Sequence, residues 1–257
     1  MQLPSNFGNS KSARALALVT GAAHRLGKAF ALRLASQGYA IALHYHSSEE
    51  PARVAVDEIR ALGVPVFQIQ ADLKDENEIH NLFAGIDAVI SNQRDENLTL
   101  KVLVNSAAVM YHADARTMTV KEFDETVSLN LRAPFLCAQQ AYQRMGPGSL
   151  IINISDIAAW KAWSGFPAYT VSKAGLEALT KVLARSFAPK VRVNAIAPGL
   201  VLRTENMPAA EWERLVQRLP AKRPASLEEL SSTLEFLLKN EYITGQTITV
   251  DGGYSLI

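Results

Sequence analysis

The stretch that decides the fold is Leu18-Val19-Thr20-Gly21-Ala22-Ala23-His24-Arg25-Leu26-Gly27. It joins the short apolar run Ala15–Val19 to a segment with helical periodicity, and its glycines permit a tight turn and a close approach of helix to strand. A helix that begins directly after a buried strand presents free N–H groups and a positive dipole end. The stretch therefore predicts an anion-binding cradle at the carboxyl edge of a parallel sheet.

The same alternation of strand and helix continues along the chain. The predicted strands are Ala15–Val19, Ala40–Tyr45, Pro65–Ile69, Leu100–Val104, Leu150–Ile154, Val191–Ala195 and Gln246–Val250. The longest predicted helix, Val120–Met145, contains Pro134, which should bend it without ending it. The rhythm predicts an α/β fold, a single-domain Rossmann-type doubly wound sheet of about seven parallel strands with helices on both faces. Residues 1–12 are expected to form a flexible leader before one dinucleotide-binding catalytic domain, 13–257, with a substrate loop at about 200–223.

Composition excludes several classes of function. The 257 residues carry 26 Lys+Arg against 25 Asp+Glu, so neither nucleic acid nor an anionic membrane is expected as a partner. The single cysteine, Cys137, excludes a disulfide framework and a multi-thiolate metal site, and no metal is predicted. Because no apolar run reaches the roughly 18–20 residues of a membrane span, a cytoplasmic protein acting on a small molecule is expected.

The residues after the second predicted strand bear on the choice of cofactor. Dinucleotide folds that prefer NAD usually place a carboxylate here to accept a hydrogen bond from the ribose 2′-hydroxyl. In this chain no carboxylate occurs before Glu49, whereas His46, Ser47 and Ser48 could donate to a 2′-phosphate. The sequence thus favours NADPH as the cofactor, with NADH left possible.

A Tyr–Lys pair is the candidate catalytic motif. Tyr169 and Lys173 are four residues apart, so a helix would place both side chains on one face. An ammonium beside a phenol should lower the phenol pKa from about 10, which suits proton transfer near neutral pH. Asn130 lies in the long helix before strand five, and Asp156 lies just after that strand, thirteen residues before Tyr169.

Together these motifs resemble the short-chain dehydrogenase/reductase family, over almost the whole chain. The first turn is similar to the family's TGxxxGxG, with Arg25 in place of the middle glycine, and Asp156 stands in the serine position of the family's Asn–Ser–Tyr–Lys set. Both departures resemble the pteridine reductase branch. The string His44-Tyr45-His46-Ser47-Ser48 also resembles that branch's NADPH clamp, although Ser47 stands where the clamp usually has arginine.

The resemblance implies roles for individual residues. Tyr169 would donate the proton, Lys173 would tune it and hold ribose, and Asn130 would hold a water linking Lys173 to solvent. The implied cofactor contacts are Gly21, Arg25, Leu26, His46, Ser47, Ser48, Asp72, Leu73, Asn105, Ala107, Lys173, Pro198, Gly199 and Val201. The implied substrate contacts are Arg25, Met110, Asp156, Tyr169 and Trp212. A homotetramer is also implied.

Three functions follow from these features. The first is an NADPH-dependent reductase that transfers hydride to a C=N bond of a dihydropterin-like substrate, indicated by Arg25 and Asp156. Met110 stands where the pteridine branch usually has a stacking aromatic residue, which favours instead an NADPH-dependent carbonyl reductase acting on a 3-oxoacyl group or another ketone. The third, of another class, is a non-catalytic NADPH-sensing scaffold.

Overall fold

The structure of the protein is a computed structural model that describes residues 13–92, 97–204 and 207–257. The predicted leader, residues 1–12, lies outside the described residues. The strands are β1 Ala15–Val19, β2 Ala40–Tyr45, β3 Val66–Gln70, β4 Thr99–Asn105, β5 Ser149–Ile154, β6 Val191–Pro198 and β7 Thr247–Val250. They form one sheet in the order β3-β2-β1-β4-β5-β6-β7, with every neighbouring pair parallel. The predicted doubly wound parallel sheet is confirmed.

Helices cover both faces of this sheet. They are α1 Arg25–Ser36, α2 Glu49–Arg60, α3 Glu76–Asn92, α4 Val120–Val127, α5 Ala133–Arg144, α6 Pro167–Phe187, α7 Ala209–Arg218 and α8 Leu227–Lys239. One core packs α1, α2 and α8 on the sheet around Phe30, Ile59 and Leu234. The other packs α3, α5 and α6 around Phe83 and Leu183. Because both faces are covered, β2 and β5 are buried along their whole length, which accounts for their continuous apolar pattern.

The strand order reverses between β1 and β4, and this is where the functional cleft forms. The chain runs outward through β2 and β3 and then returns to the other side of β1 as β4. Thr20, directly after β1, accepts hydrogen bonds from the N–H groups of Ser106 (3.0 Å) and Ala107 (3.2 Å), directly after β4. The two loops are thereby held side by side at the carboxyl edge, the usual ligand position in open α/β sheets.

The long helix predicted over Val120–Met145 is interrupted by a π-helical turn, Ser128–Arg132, which separates α4 from α5. Pro134 has no N–H to donate to the carbonyl four residues earlier, and the helix widens before it. The N–H of Ala133 donates to Ser128, five residues back. The proline therefore displaces the irregular turn to the residues that precede it, and that turn carries Asn130.

Candidate active site

Three predicted catalytic side chains meet at the carboxyl edge of β5. The Tyr169 hydroxyl, from α6, donates to Asp156 Oδ2 at 2.9 Å. Asp156 follows β5 and also accepts from the Ala158 N–H at 2.8 Å, so it caps a short 3₁₀ turn at the same time. One turn along α6, the Lys173 ammonium donates to the Ile154 carbonyl at 2.7 Å. Tyr169 is 7% and Lys173 3% exposed, so the cluster is largely shielded from water.

Burial governs the acidity of all three groups. Desolvation raises the pKa of Asp156 and lowers the pKa of Lys173 to about 8. The pKa of Tyr169 is raised well above its usual range, first by burial and then by the neighbouring carboxylate of Asp156. The expectation that Lys173 lowers the phenol pKa is therefore wrong for this arrangement, because burial first, and then the carboxyl group of Asp156, raise that pKa. Tyr169 remains a protonated phenol, as a proton donor must.

Asn130 lies beside the cluster but is engaged within the protein. Its carboxamide accepts from the Val109 N–H (2.9 Å) and donates to the Val109 carbonyl (2.8 Å) and to Ser172 Oγ (3.2 Å). Ser172 in turn donates to the Tyr169 carbonyl at 2.7 Å. Asn130 thus ties the loop after β4 to the helix that carries Tyr169, and its predicted water-holding role stays a prediction.

The first turn has the close packing that its glycines predict. Gly21 has φ +62°, and a Cβ there would lie 2.9 Å from the Ala107 Cα, in the backbone of the adjacent loop. A Cβ on Gly27 would collide with the Gly21 carbonyl oxygen. His24, the residue that precedes α1, makes no capping hydrogen bond with its side chain, and no acidic residue lies in the first turn. The start of α1 is therefore suited to an anion.

His44, quoted above only as part of the string that resembles an NADPH clamp, has a structural role in this cradle that was not predicted from the sequence. Its Nδ1 accepts from the Gly21 N–H at 3.1 Å, and its Nε2 lies 3.0 Å from the Ala71 carbonyl. Burial lowers the pKa of His44 to about 4, which makes it a neutral imidazole with the proton on Nε2. His44 thereby joins the first turn to the ends of β2 and β3. The sequence signal for this structural role was the position of His44 near the end of a strand that was predicted to be buried.

Arg25, the first residue of α1, makes hydrogen bonds that were not predicted from the sequence. It has φ +53°, and its guanidinium donates to the backbone carbonyls of Leu202 (3.0 Å) and Arg203 (3.3 Å) in the loop after β6. These hydrogen bonds connect the cradle with the predicted substrate loop. Predicted contacts of Arg25 with cofactor phosphate and substrate stay predictions.

A cleft of about 680 Å³ runs past the cluster of Asp156, Tyr169 and Lys173. Predicted site residues that line it are Gly21, Arg25, Leu26, Ala107, Met110, Asp156, Tyr169, Lys173, Pro198, Gly199, Val201 and Trp212. Its outer wall is apolar and aromatic, with Trp163, Phe166 and Tyr254 beside Met110 and Trp212. Ser155, also on the wall, has a buried Oγ without a hydrogen-bond partner among the described residues, which the sequence did not indicate.

A second pocket, about 340 Å³, adjoins the first, with Gly21, His24, Ala107 and Val109 lining both. The predicted site residues on its wall are His46, Ser47, Ser48, Asp72 and Leu73. Asn105 lines neither pocket. It is paired with Asn153 in the β4–β5 register, and its amide donates to the Asn153 oxygen at 2.9 Å, so its predicted cofactor contact is not supported by the position of its side chain.

Membrane-spanning helices and metal-binding clusters are two other features that could define a functional site. Within residues 13–92, 97–204 and 207–257, no helix has the length and apolarity needed to cross a membrane. Over the same ranges, no group of three or more His, Cys, Asp or Glu side chains is arranged to hold a metal ion.

Comparison with known proteins places this geometry in a family. A sequence profile described as Enoyl-(Acyl carrier protein) reductase matches residues 21–255. The 3-oxoacyl-[acyl-carrier-protein] reductase FabG of Staphylococcus aureus is 36% identical over 244 residues, which cover 92% of this chain and 96% of that protein.

Solved structures agree. FolM alternative dihydrofolate reductase 1 from Brucella canis, complexed with NADP, superposes with a TM-score of 0.85 at 32% identity, covering 95% of each chain. The landomycin C-6 ketoreductase LanV with bound NADP and rabelomycin gives a TM-score of 0.86 at 28% identity, covering 95% of this chain and 100% of that one. The profile, the relatives and the Tyr169–Lys173 cluster at the sheet edge together identify the chain as a member of the short-chain dehydrogenase/reductase family of oxidoreductases.

Proposed function

We propose that this protein is an NADPH-dependent reductase that reduces a C=N bond of a dihydropterin-like heterocycle. The observation that carries the proposal is the 2.9 Å hydrogen bond from Tyr169 to Asp156. A carboxyl group at this position can pair with the amino and ring N–H groups of such a heterocycle in a way that a hydroxyl cannot. The FolM structure, with its name as a dihydrofolate reductase, supports the same choice.

The residues present fit a bound dinucleotide. The glycine turn leaves backbone N–H groups at the start of α1 for a pyrophosphate, and Gly21 has no Cβ to fill the space beside Ala107. The buried, unpartnered Oγ of Ser155 offers a polar contact near Lys173 and Pro198 in the same cleft. When bound, NADPH supplies a hydride.

The chain's own residues supply the proton and the orientation. Reduction of a C=N bond requires a hydride at carbon and a proton at nitrogen, and the Tyr169 hydroxyl is the group able to give that proton. In its protonated form, Asp156 can donate to the phenol oxygen, which leaves the Tyr169 O–H free for the substrate. Burial raises the pKa of Asp156. At a given pH, Asp156 is therefore protonated to a greater extent than an exposed carboxyl group would be. The apolar walls exclude water from the reacting atoms.

A carbonyl reductase is the second candidate, supported by the FabG relative, by the LanV ketoreductase and by Met110. The Met110 thioether lines the cleft and is 39% exposed, and it is a weaker stacking partner for a flat ring than an aromatic side chain. A 3-oxoacyl chain or another ketone would need no such stacking.

The experiment that separates these candidates is NADPH consumption by purified protein with a panel of substrates. The panel contains dihydrobiopterin, dihydromonapterin, dihydrofolate, quinones and a 3-oxoacyl thioester. The proposal predicts turnover with at least one dihydropterin or dihydrofolate that exceeds turnover with the ketones. Turnover with ketones alone contradicts the dihydropterin assignment and supports the second candidate.

Replacement of Asp156 by Ser adds a matched test. Asp156→Ser should lose dihydropterin reduction by roughly a hundredfold while retaining ketone reduction, because a hydroxyl can still polarise a carbonyl oxygen. Equal losses for both substrate classes would contradict a role of the carboxyl group in substrate choice. A cytoplasmic location and a homotetrameric assembly are proposed as part of the same function.

A further inference from the structure

Helix α7, Ala209–Arg218, forms part of the wall of the cleft that passes Tyr169. Its residues Glu211, Trp212 and Leu215 line the cleft. No residue of α7 is buried, so these side chains border the space open to a ligand rather than the protein core. Glu211 and Leu215 are four residues apart and lie on one face of the helix. Glu211 is therefore an acidic side chain whose neighbours on this part of the wall are apolar.

The usual partner of a glutamate at this position is missing in α7. Glu211 is the third residue of the helix, as Glu122 is in α4 and Glu229 is in α8. Glu122 and Glu229 each accept a hydrogen bond, at 2.8 Å, from the backbone N–H of the residue that precedes the helix. In α7 that residue is Pro208, which has no N–H to donate. The Glu211 carboxylate is thereby left without its capping contact.

No other group replaces that contact. Within the part of the chain that the structure describes, no hydrogen bond or ion pair involves the Glu211 carboxylate. The other charged side chains on the cleft wall are all engaged: Arg25 and Lys173 donate to backbone carbonyls, and Asp156 accepts from Tyr169. Glu211 thus differs from them in having both oxygens available to a ligand.

The charge of Glu211 faces solvent and the cleft together. Its side chain is exposed, and an exposed glutamate is a carboxylate at neutral pH. Of the two cations on the wall, Lys173 is 3% exposed, and Arg25 lies at the start of α1, where the cofactor's pyrophosphate is expected. A substrate substituent that reaches α7 therefore meets a negative charge.

We propose, on the basis of the proposed dihydropterin reductase function, that Glu211 is a specificity-determining residue that selects the substrate by the charge of its ring substituent. A carboxylate accepts hydrogen bonds from hydroxyl and amino groups and repels other carboxylates and phosphates. The substrate class is a heterocycle whose substituent carries hydrogen-bond donors and no anionic group.

The charge of the substituent is tested with dihydrofolate, which has two carboxylates, and its uncharged dimethyl ester. In the wild type, kcat/KM should favour the ester about two- to fivefold at low salt, the size expected for an exposed charge pair. The preference should decrease as the salt concentration is raised from about 0.05 M to about 0.5 M. Glu211→Gln should remove most of it. Glu213→Gln, which makes the same change in net charge on α7, lies outside the cleft lining and is the matched control.

The acceptor is tested separately with dihydrobiopterin and a dihydropterin that has a methyl group in place of the hydroxylated side chain. Glu211→Ala should lose about fivefold in its preference for dihydrobiopterin, because the hydroxyl groups lose their acceptor. Glu211→Gln keeps an acceptor oxygen and should retain most of that preference. Both variants should bind NADPH as the wild type does, which distinguishes a local effect from a loss of fold.

Binding measurements distinguish this proposal from the function on which it rests. Calorimetry on the protein with NADP bound gives the affinities for dihydrofolate and its ester without turnover. If dihydropterins are reduced but Glu211→Gln matches Glu213→Gln, the role of Glu211 is wrong and the reductase function stands. If no dihydropterin is reduced, yet the ester binds more tightly and Glu211→Gln removes the difference, charge selection stands and the reductase function falls. If neither ligand binds or reacts, both are overturned.

Discussion

At the residue scale, the main feature of the candidate site is the buried carboxyl group of Asp156 beside the phenol of Tyr169. Burial, and then the hydrogen bond to Asp156, raise the pKa of Tyr169 and keep the phenol protonated, while Lys173 donates to the Ile154 carbonyl. Desolvation moves the pKa of Lys173 down to about 8 and that of Tyr169 far up. Within the cluster, Lys173 rather than Tyr169 is therefore the group that loses its proton at moderately alkaline pH.

This assignment predicts the alkaline limb of the rate profile. As the pH rises through about 8, Lys173 loses its proton and its charge, so kcat/KM for reduction should fall with a single ionisation near that value. In Lys173→Arg the guanidinium remains charged, and the limb should move upward by at least one pH unit although the maximal rate is lower. A limb at the same pH in both proteins would show that another group titrates.

Sequence reasoning could bring these residues together because i, i+4 spacing on a helix and a position after a buried strand fix where a side chain lies. It could not give the sense of the phenol's pKa shift. That shift depends first on how deeply the phenol is buried and then on which charged group is nearest in space, and the 2.9 Å approach of Asp156 follows from the packing of the β5 loop against α6. Asn130 and Asn105 were identified by motif, but their amides bind Val109 and Asn153 instead of facing the cleft openly.

At the scale of elements, the junction of β1, α1, β2 and β3 determines whether a dinucleotide can bind. His44 is its central connection, because the imidazole joins the Gly21 N–H to the Ala71 carbonyl from a fully buried position. Its backbone carbonyl accepts from the Ala22 N–H at 2.9 Å.

Replacement of His44 by Leu removes the side-chain acceptor while it preserves bulk. The Gly21 N–H then lacks a partner in a buried turn, which should cost about 1–3 kcal/mol in the free energy of unfolding and weaken NADP binding about tenfold. The maximal rate at saturating cofactor should change little. His44→Asn, which keeps a side-chain acceptor, should recover part of the affinity, whereas equal losses in both variants would show that only packing matters at this position. Urea unfolding and calorimetry measure the two effects.

The strands were predictable at this scale and the long helix was not. Short apolar runs bounded by turn residues define β1 and β2 with the observed bounds, because both faces of a parallel sheet are buried. Helical periodicity continues through residues 128–132 with little change, so it carries no signal for a π-helical turn. The π-helical turn precedes Pro134 because the proline has no N–H to donate to the carbonyl four residues earlier.

At the scale of the whole molecule, an apolar surface remains exposed on α4, α5 and α6. Its side chains include Phe123, Phe135, Val171 and Val182, each at least 37% exposed in the isolated chain. These three helices pack on one another along one side of the sheet. Exposed large apolar side chains on neighbouring helices are typical of an interface between copies of a chain.

The surface leads to a prediction for the assembly. Sedimentation velocity should give a homotetramer, four times the 28.0 kDa chain mass. Val182→Glu places a charge on the exposed surface, outside the cleft, and should shift the protein to smaller species with the fold retained by circular dichroism. A monomer for the wild type at micromolar concentration would contradict the tetramer.

The central claim is that Tyr169, supported by Asp156 and Lys173, protonates a substrate that receives hydride from NADPH. The most direct test is a single-turnover reaction with NADPH that carries deuterium at both hydrogen positions of nicotinamide C4, followed by mass spectrometry of the reduced dihydropterin or ketone. The wild type should transfer the label to product, while Tyr169→Phe should bind NADPH with near-normal affinity and transfer it at least a hundredfold more slowly. Label-free product from the wild type, or equal transfer rates in the two proteins, would contradict the account.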